Sequence, residues 1–463
     1  MLARAGFSLT CGRGGQAGSV ALAAAGLAAG VSLFAGEVMS DPDVDRYNVR
    51  VGTQTFAGLY QFSTNSLLVE TAQAIRAMGS DILKFYLGGA DFKRQYRITL
   101  SASVTNLTAL ARDEPSCRLV LDMPFRHYVI WTYCFTPGWW SDGYSAQERS
   151  REYAELHAFT RYLLTNYNGT GKTFYLGHWE GDWYLLPNYN TATNPTATAL
   201  QGMRDWLNTR QQAVDEAKQA TPHTGVQVYL YTEANRVLDA KQGQAANNQR
   251  VINYVVPYVT NLDLVSWSSY EGQDLSTEAL RETLDYMEAM LPTNKASVIA
   301  GKRIFVGEYG WGGSLSISAQ EPRTRAYLKR LIDWGCRFAL FWQIYNNEPG
   351  RAYCLIDPLG HPTPSYHLHQ RFINQARLLV ARFKQDQGRL PKASEFAALV
   401  SPVLERPLPV PVGLVVSNGW AADIQAARAT VNGFLVQGIY GQAWARWSLY
   451  WGKRDAGAAP VGW

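Results

Sequence analysis

The sequence predicts an α/β protein, a (β/α)8 barrel with a small C-terminal extension. Three observations lead there. Between residues 47 and 384, short runs of β-branched and aromatic residues alternate with longer amphipathic stretches, eight of each. Strands that alternate with helices build a parallel sheet covered by helices, and eight such units in about 340 residues match a closed barrel with enlarged loops. The competing open, doubly wound sheet places a Gly-rich phosphate turn after its first strand, and Thr53-Gln54-Thr55-Phe56 offers none.

Taken in order, the expected strands are 49–56 (VRVGTQTF), 81–87 (DILKFYL), 117–123 (CRLVLDM) and 173–179 (TFYLGHW). They continue with 226–232 (VQVYLYT), 263–269 (DLVSWSS), 303–307 (RIFVG) and 337–343 (RFALFWQ). The amphipathic segments lie near 64–78, 101–112, 145–166, 195–220, 242–258, 276–291, 319–335 and 365–384. Ser145–Glu148 and Ser318–Glu321 share the tetrapeptide Ser-Ala-Gln-Glu, a capping box in which Ser and Glu side chains satisfy free backbone N–H groups. The expected loop after the third strand, 124–144, is rich in Trp and Tyr and contains Pro137-Gly138; the next, 180–194, holds Trp183, Tyr184 and Tyr189. From residue 385 the rhythm breaks at Pro402, Pro407, Pro409 and Pro411, and a helix at 420–430 and an aromatic run at 433–451 make up an extension expected to pack on the barrel.

Residues 1–40 read as a leader: Arg4 and Arg13 without an acid, then the apolar run 20–35. That run is shorter than the ~20 residues a membrane helix needs, so a signal peptide and a secreted or periplasmic protein are expected, with an N-terminal anchor as the alternative. Beyond Cys11 the cysteines are Cys117, Cys134, Cys336 and Cys354, with no C-x-x-C; two disulfides or four buried thiols both fit. The 463-residue chain has 43 Lys+Arg against 38 Asp+Glu, diffusely placed, which argues against a nucleic-acid or membrane-surface partner. Only 17% of residues are charged while 13% are aromatic, a balance suited to uncharged, hydroxyl-rich ligands such as sugars.

Barrel chemistry sits where strands end. Glu180 ends the fourth strand in Gly177-His178-Trp179-Glu180-Gly181-Asp182-Trp183, and Glu308 ends the seventh in Gly307-Glu308-Tyr309-Gly310-Trp311. Two carboxyl groups across one mouth are what glycosidic hydrolysis requires, one to protonate the leaving oxygen and one to attack or to activate water. Glu233, in Tyr231-Thr232-Glu233, and Asp182 are rivals for the acid role, and Asp122 is expected to brace the mouth. His178, Glu180 and Asp182 alternate and admit a metal-site reading. Trp139 and Trp140 are adjacent in a loop, so at least one is expected to be exposed for sugar stacking.

On these residues the chain resembles the clan A retaining (β/α)8 glycoside hydrolases, as a divergent member without an assigned family. The resemblance covers residues 47–380 and implies Glu180 as acid/base and Glu308 as nucleophile. It further implies Tyr270 as a hydrogen-bond partner of the nucleophile and Trp342 as a sugar platform. One departure stands out: the clan has Asn directly before its acid/base, and this sequence has Trp179, which leaves the sugar 2-hydroxyl to a residue such as His178 or His127. The expectation is a retaining glycoside hydrolase acting on a poly- or oligosaccharide, without a cofactor or metal. A non-catalytic carbohydrate-binding barrel and a metal-assisted hydrolase are the alternatives. Sugar, linkage, endo or exo action and oligomeric state are left open.

Overall fold

The computed structural model describes residues 41–135, 139–242, 247–295, 298–313 and 315–405. Residues 1–40, expected as a leader, Pro137-Gly138, and the stretch beyond 405, with the helix expected at 420–430 and the aromatic run at 433–451, lie outside the described residues. Eight strands close into a barrel in sequence order: β1 (Val51–Gln54), β2 (Ile82–Gly88), β3 (His127–Tyr133), β4 (Lys172–Gly177), β5 (Val226–Ala234), β6 (Leu264–Ser268), β7 (Ile304–Tyr309) and β8 (Ala339–Phe341). Every neighbouring pair is parallel, including β1 with β8. The strands are almost continuously buried, as a parallel sheet covered by helices requires.

The long outer helices are Leu67–Ala77, Ala146–Asn166, Ala197–Ala220, Thr277–Met290, Ile317–Trp334 and Pro364–Gln387. Aromatic rings fill the lower interior across the barrel, with Tyr231–Phe305 at 5.2 Å, Phe305–Phe338 at 5.7 Å and Phe338–Tyr175 at 5.0 Å. A further helix, Ala393–Val400, sets Phe396 5.3 Å from Tyr47 and under the Arg50 guanidinium, beside the start of β1.

The third strand departs from expectation. Residues 117–123 fall in a helix, Pro115–Asp122, and β3 is His127–Tyr133. Glu114 accepts the Ser116 N–H, Pro115 supplies the first helical residue, and Cys117, Val120 and Leu121 bury one helical face. Asp122, ending that helix, accepts from the Tyr167 hydroxyl at 3.1 Å before β4 begins, so it lies at the opposite end from the mouth. In place of the expected helix over 242–258 the described residues hold a helix at Val237–Gln242, a π turn at Val251–Val255 and a 3-10 turn at Val256–Tyr258, the last with Pro257 in its opening positions.

The Ser145 capping box forms in both directions. The Ser318 box does not: the helix begins at Ile317, Ser318 lies inside its first turn, and Glu321 pairs with Arg325 at 3.1 Å. Cys117, Cys134, Cys336 and Cys354 are free thiols. Among the described residues no helix is long and apolar enough to cross a membrane.

Candidate active site

Glu308 enters the barrel through a break in strand register. Trp267 pairs with Val306 and Ser268 with Glu308, so Gly307 is passed over and β7 bulges. Bulges re-aim side chains at barrel rims. A Cβ on Gly307 would lie 2.0 Å from Ser266 Oγ and 2.7 Å from Glu233 Oε2, so the side chains packed over this position require glycine.

Around Glu308 the groups come from four strands. Lys84 Nζ of β2 donates to Glu308 Oε1 at 3.2 Å, to Glu233 Oε2 at 2.9 Å and to the Gly307 carbonyl at 3.0 Å. The Tyr270 hydroxyl, just after β6, donates to Glu308 Oε2 at 3.2 Å. Glu233 of β5 accepts the Ser266 hydroxyl at 2.7 Å and the Glu180 backbone N–H at 3.1 Å. The Ser268 hydroxyl donates to Glu180 Oε1.

Exposure separates the three carboxyl groups. Glu180 keeps 7% of its surface and Glu308 2%, while Glu233 and Lys84 keep none. Of the three, only Glu180 and Glu308 keep any exposed surface. Burial raises the Glu180 carboxyl well above the usual range, and the charge of Glu308 adds to it. Burial likewise pushes Glu308 up, to about 7, opposed mainly by the Lys84 ammonium. Of the two, Glu180 holds its proton more firmly, because the cation sits against Glu308.

Aromatic rings form the walls. Trp342 stacks on Phe56 at 5.4 Å, Phe56 meets Trp131 at 3.8 Å, and Trp342 Nε1 donates to Glu348 at 3.3 Å. On the β3–β4 side Trp139, 36% exposed, lies edge-on to Tyr184 at 4.7 Å, and Tyr184 is edge-on to Trp179 at 5.5 Å. Trp179 donates its backbone N–H to the Tyr133 hydroxyl, which is itself 3.3 Å from that of Tyr184. Trp183 lies farther out, half-buried beside Arg236 and Tyr189.

Several sequence candidates belong elsewhere. His127 opens β3 at the far end of the barrel, 3.3 Å from the Tyr175 hydroxyl and against Phe338; it was assigned to a loop because β3 was placed one segment early. His178 is fully buried with Nδ1 donating to the Trp179 carbonyl at 2.9 Å, which leaves Nε2 to accept from Thr232 at 2.7 Å. Burial lowers its pKa to about 3 and keeps it neutral, and no nitrogen is left for a sugar or a metal. Asp182 is also fully buried, accepting the backbone N–H groups of Asn235, Arg236 and Val251; it pins the loops after β4 and β5 together. Trp140 is fully buried against Trp206 and supports Trp139 at 5.2 Å rather than facing the cleft. Among the described residues no three His, Cys, Asp or Glu side chains are grouped to hold a metal ion.

Sequence reasoning passed over Lys84, Ser266 and Ser268. Lys84 did carry a signal: a lone charge inside Ile82-Leu83-Lys84-Phe85-Tyr86-Leu87, a buried strand where an ammonium must find partners.

No family model matches the chain, and no curated protein matches it. Solved structures do match. A GH5_18 protein from Streptomyces cattleya, in complex with Manβ1-4GlcNAc, aligns over 84% of this chain and 97% of its own with 9% identity and a TM-score of 0.50. A Bacteroidetes-affiliated GH5 cellulase aligns over 80% and 95% with 14% identity and a TM-score of 0.42. A glycoside hydrolase 5 lichenase from Caldicellulosiruptor sp. F32 aligns over 78% and 94% with 12% identity and a TM-score of 0.41. At 9% identity the first of these likenesses shows the fold and nothing finer, and it identifies the chain as a (β/α)8 barrel like the Streptomyces cattleya protein.

Proposed function

We propose that the protein is a glycoside hydrolase that cleaves an O-glycosidic bond in a poly- or oligosaccharide with retention, using Glu180 as general acid/base and Glu308 as nucleophile. The observation that carries this reading is the meeting of two buried carboxyl groups at the ends of β4 and β7, Glu180 held by the Ser268 hydroxyl and Glu308 by Lys84 and Tyr270. Trp139, 36% exposed, supplies a flat apolar face for a sugar ring.

In this mechanism Glu180 begins protonated and gives its proton to the glycosidic oxygen as the bond to the anomeric carbon breaks. Glu308, oriented by Lys84 and Tyr270, forms the glycosyl ester. Glu180, now ionised, takes a proton from water, and the resulting hydroxide releases the sugar from Glu308. The leader at residues 1–40 fits export of such an enzyme to where glycan polymers are met.

A glycan-panel screen with product analysis finds the substrate, and two variants test the roles. Glu308→Gly is inactive alone but forms a glycosyl azide of inverted configuration when azide is added. Glu180→Gln loses about 10²- to 10⁴-fold on unactivated glycans and far less on aryl glycosides with good leaving groups. Full hydrolysis by both Glu180→Gln and Glu308→Gln would overturn the assignment.

A further inference from the structure

The site holds three buried carboxyl groups and one ammonium, and hydrolysis as proposed above uses only two of the carboxyls. Glu233 is the third. Both of its oxygens are committed, Oε1 to the Glu180 backbone N–H at 3.1 Å and Oε2 to Lys84 Nζ at 2.9 Å and Ser266 Oγ at 2.7 Å. Lys84 carries the chain of contacts on to Glu308 Oε1 at 3.2 Å and lies over the Trp131 ring. One continuous path therefore joins the main chain of the acid to the side chain of the nucleophile. The bare Cα of Gly307 makes room for it.

We infer that Glu233 and Lys84 act as a single positioning pair whose opposed charges together set the protonation of both Glu180 and Glu308. The inference rests on the retaining reading and deepens it. An ammonium in contact with one carboxylate in a dry interior favours its ionised form. Glu308 has that contact, and Glu180 has in its place the Ser268 hydroxyl. Glu233 opposes the ammonium and favours the protonated form of both glutamates.

The other charged or titratable groups facing this cluster are few. Tyr231 of β5 and Tyr270 after β6 are neutral phenols whose burial raises them well above their ordinary range. His178 is neutral. Arg210, more remote, is paired with Glu152 at 2.6 Å, and Glu348 and Tyr353 lie beyond Tyr270.

The pair acts on both working glutamates in one direction: Lys84 lowers their pKa values and Glu233 raises them. The test is the pH profile of kcat/KM for wild type, Glu233→Gln, Lys84→Met and the double variant. Glu233→Gln is expected to move both limbs to lower pH by about one unit and Lys84→Met to move both to higher pH by about one unit, with the double variant falling between them. Lys84→Arg, which keeps the charge, leaves the limbs near those of wild type. If Lys84→Met does not fold, the downward shift in Glu233→Gln still decides the matter. Reduced rates with unmoved limbs would mean a merely structural pair and overturn the inference. So would loss of the alkaline limb in Glu233→Gln with recovery on good leaving groups, which would make Glu233 the acid.

Carboxyl carbon-13 titration of Glu308, assigned by its absence in Glu308→Gln, reads the same shifts without turnover. A protein that hydrolyses no glycoside but shows opposed shifts in the two single variants retains the pair and loses the retaining reading. Absent shifts remove the pair whatever the activity.

Discussion

Tyr270 holds Glu308 by one hydrogen bond of 3.2 Å and is itself held in place by packing, edge-on to Tyr353 at 6.1 Å. The bond fixes the carboxylate rotamer and stabilises its charge when Glu308 is ionised. Tyr270→Phe removes the hydroxyl and little else, since the ring still fills its place. A hydrogen bond to a charged group contributes about 1.5–3 kcal/mol, so kcat/KM is expected to fall about 10- to 100-fold with the thermal midpoint nearly unchanged. An unaltered rate would remove Tyr270 from the machinery. At this scale strand counting sets Glu180, Tyr270 and Glu308 at or just beyond the ends of β4, β6 and β7, where the structure has them. It was misread where the decision lay with neighbours: His178 and Asp182 sit in the same short segment as Glu180, yet each is fully engaged by groups on or just after β5.

Helix 197–220 carries Gly202 in its middle, where glycine ordinarily costs stability. Here a Cβ would lie 1.9 Å from the Trp140 carbonyl oxygen, so the helix and the Trp139–Trp140 loop approach as closely as they do only because the side chain is absent. At an exposed helical site Gly→Ala stabilises by about 1 kcal/mol. At this one the sign reverses: Gly202→Ala is expected to cost about 1–3 kcal/mol as the loop is pushed off, measured by urea unfolding, and to weaken any ligand that uses Trp139. A gain in stability would contradict the packing. The same scale explains the misplaced third strand. Cys117-Arg118-Leu119-Val120-Leu121 and Tyr128-Val129-Ile130-Trp131 are both short apolar runs, and composition alone does not rank them. The buried set Cys117, Val120 and Leu121 has helical spacing, and Pro115 marks a helix start; both were legible and were outweighed by β-propensity.

Over the whole molecule, the buried site works against stability. The Glu308 carboxyl titrates at about 7 in the fold and near 4.3 in an unfolded chain. Below pH ~4 both states hold the proton and nothing is lost. As pH rises toward 7 the unfolded chain releases it first, so folding becomes less favourable by an amount of the order of a few kcal/mol. Glu308→Gln escapes this cost, and its thermal midpoint is expected to exceed that of wild type at pH 8 and to match it near pH 4. Equal midpoints at both pH values would show that the site carries no such strain. The sequence by itself determined the eightfold alternation, the parallel barrel and the two glutamates at the ends of β4 and β7, because periodicity and strand order are local properties that survive in one dimension. Only the tertiary structure decided that Lys84 meets Glu233, 149 residues away, that Ser268 meets Glu180, 88 residues away, and that Glu233 is fully buried. Closure of the barrel brings these side chains together from separate strands. A contact across a closed sheet depends on register, bulge and the absence of a Cβ at Gly307, and no local pattern of residues encodes their combination.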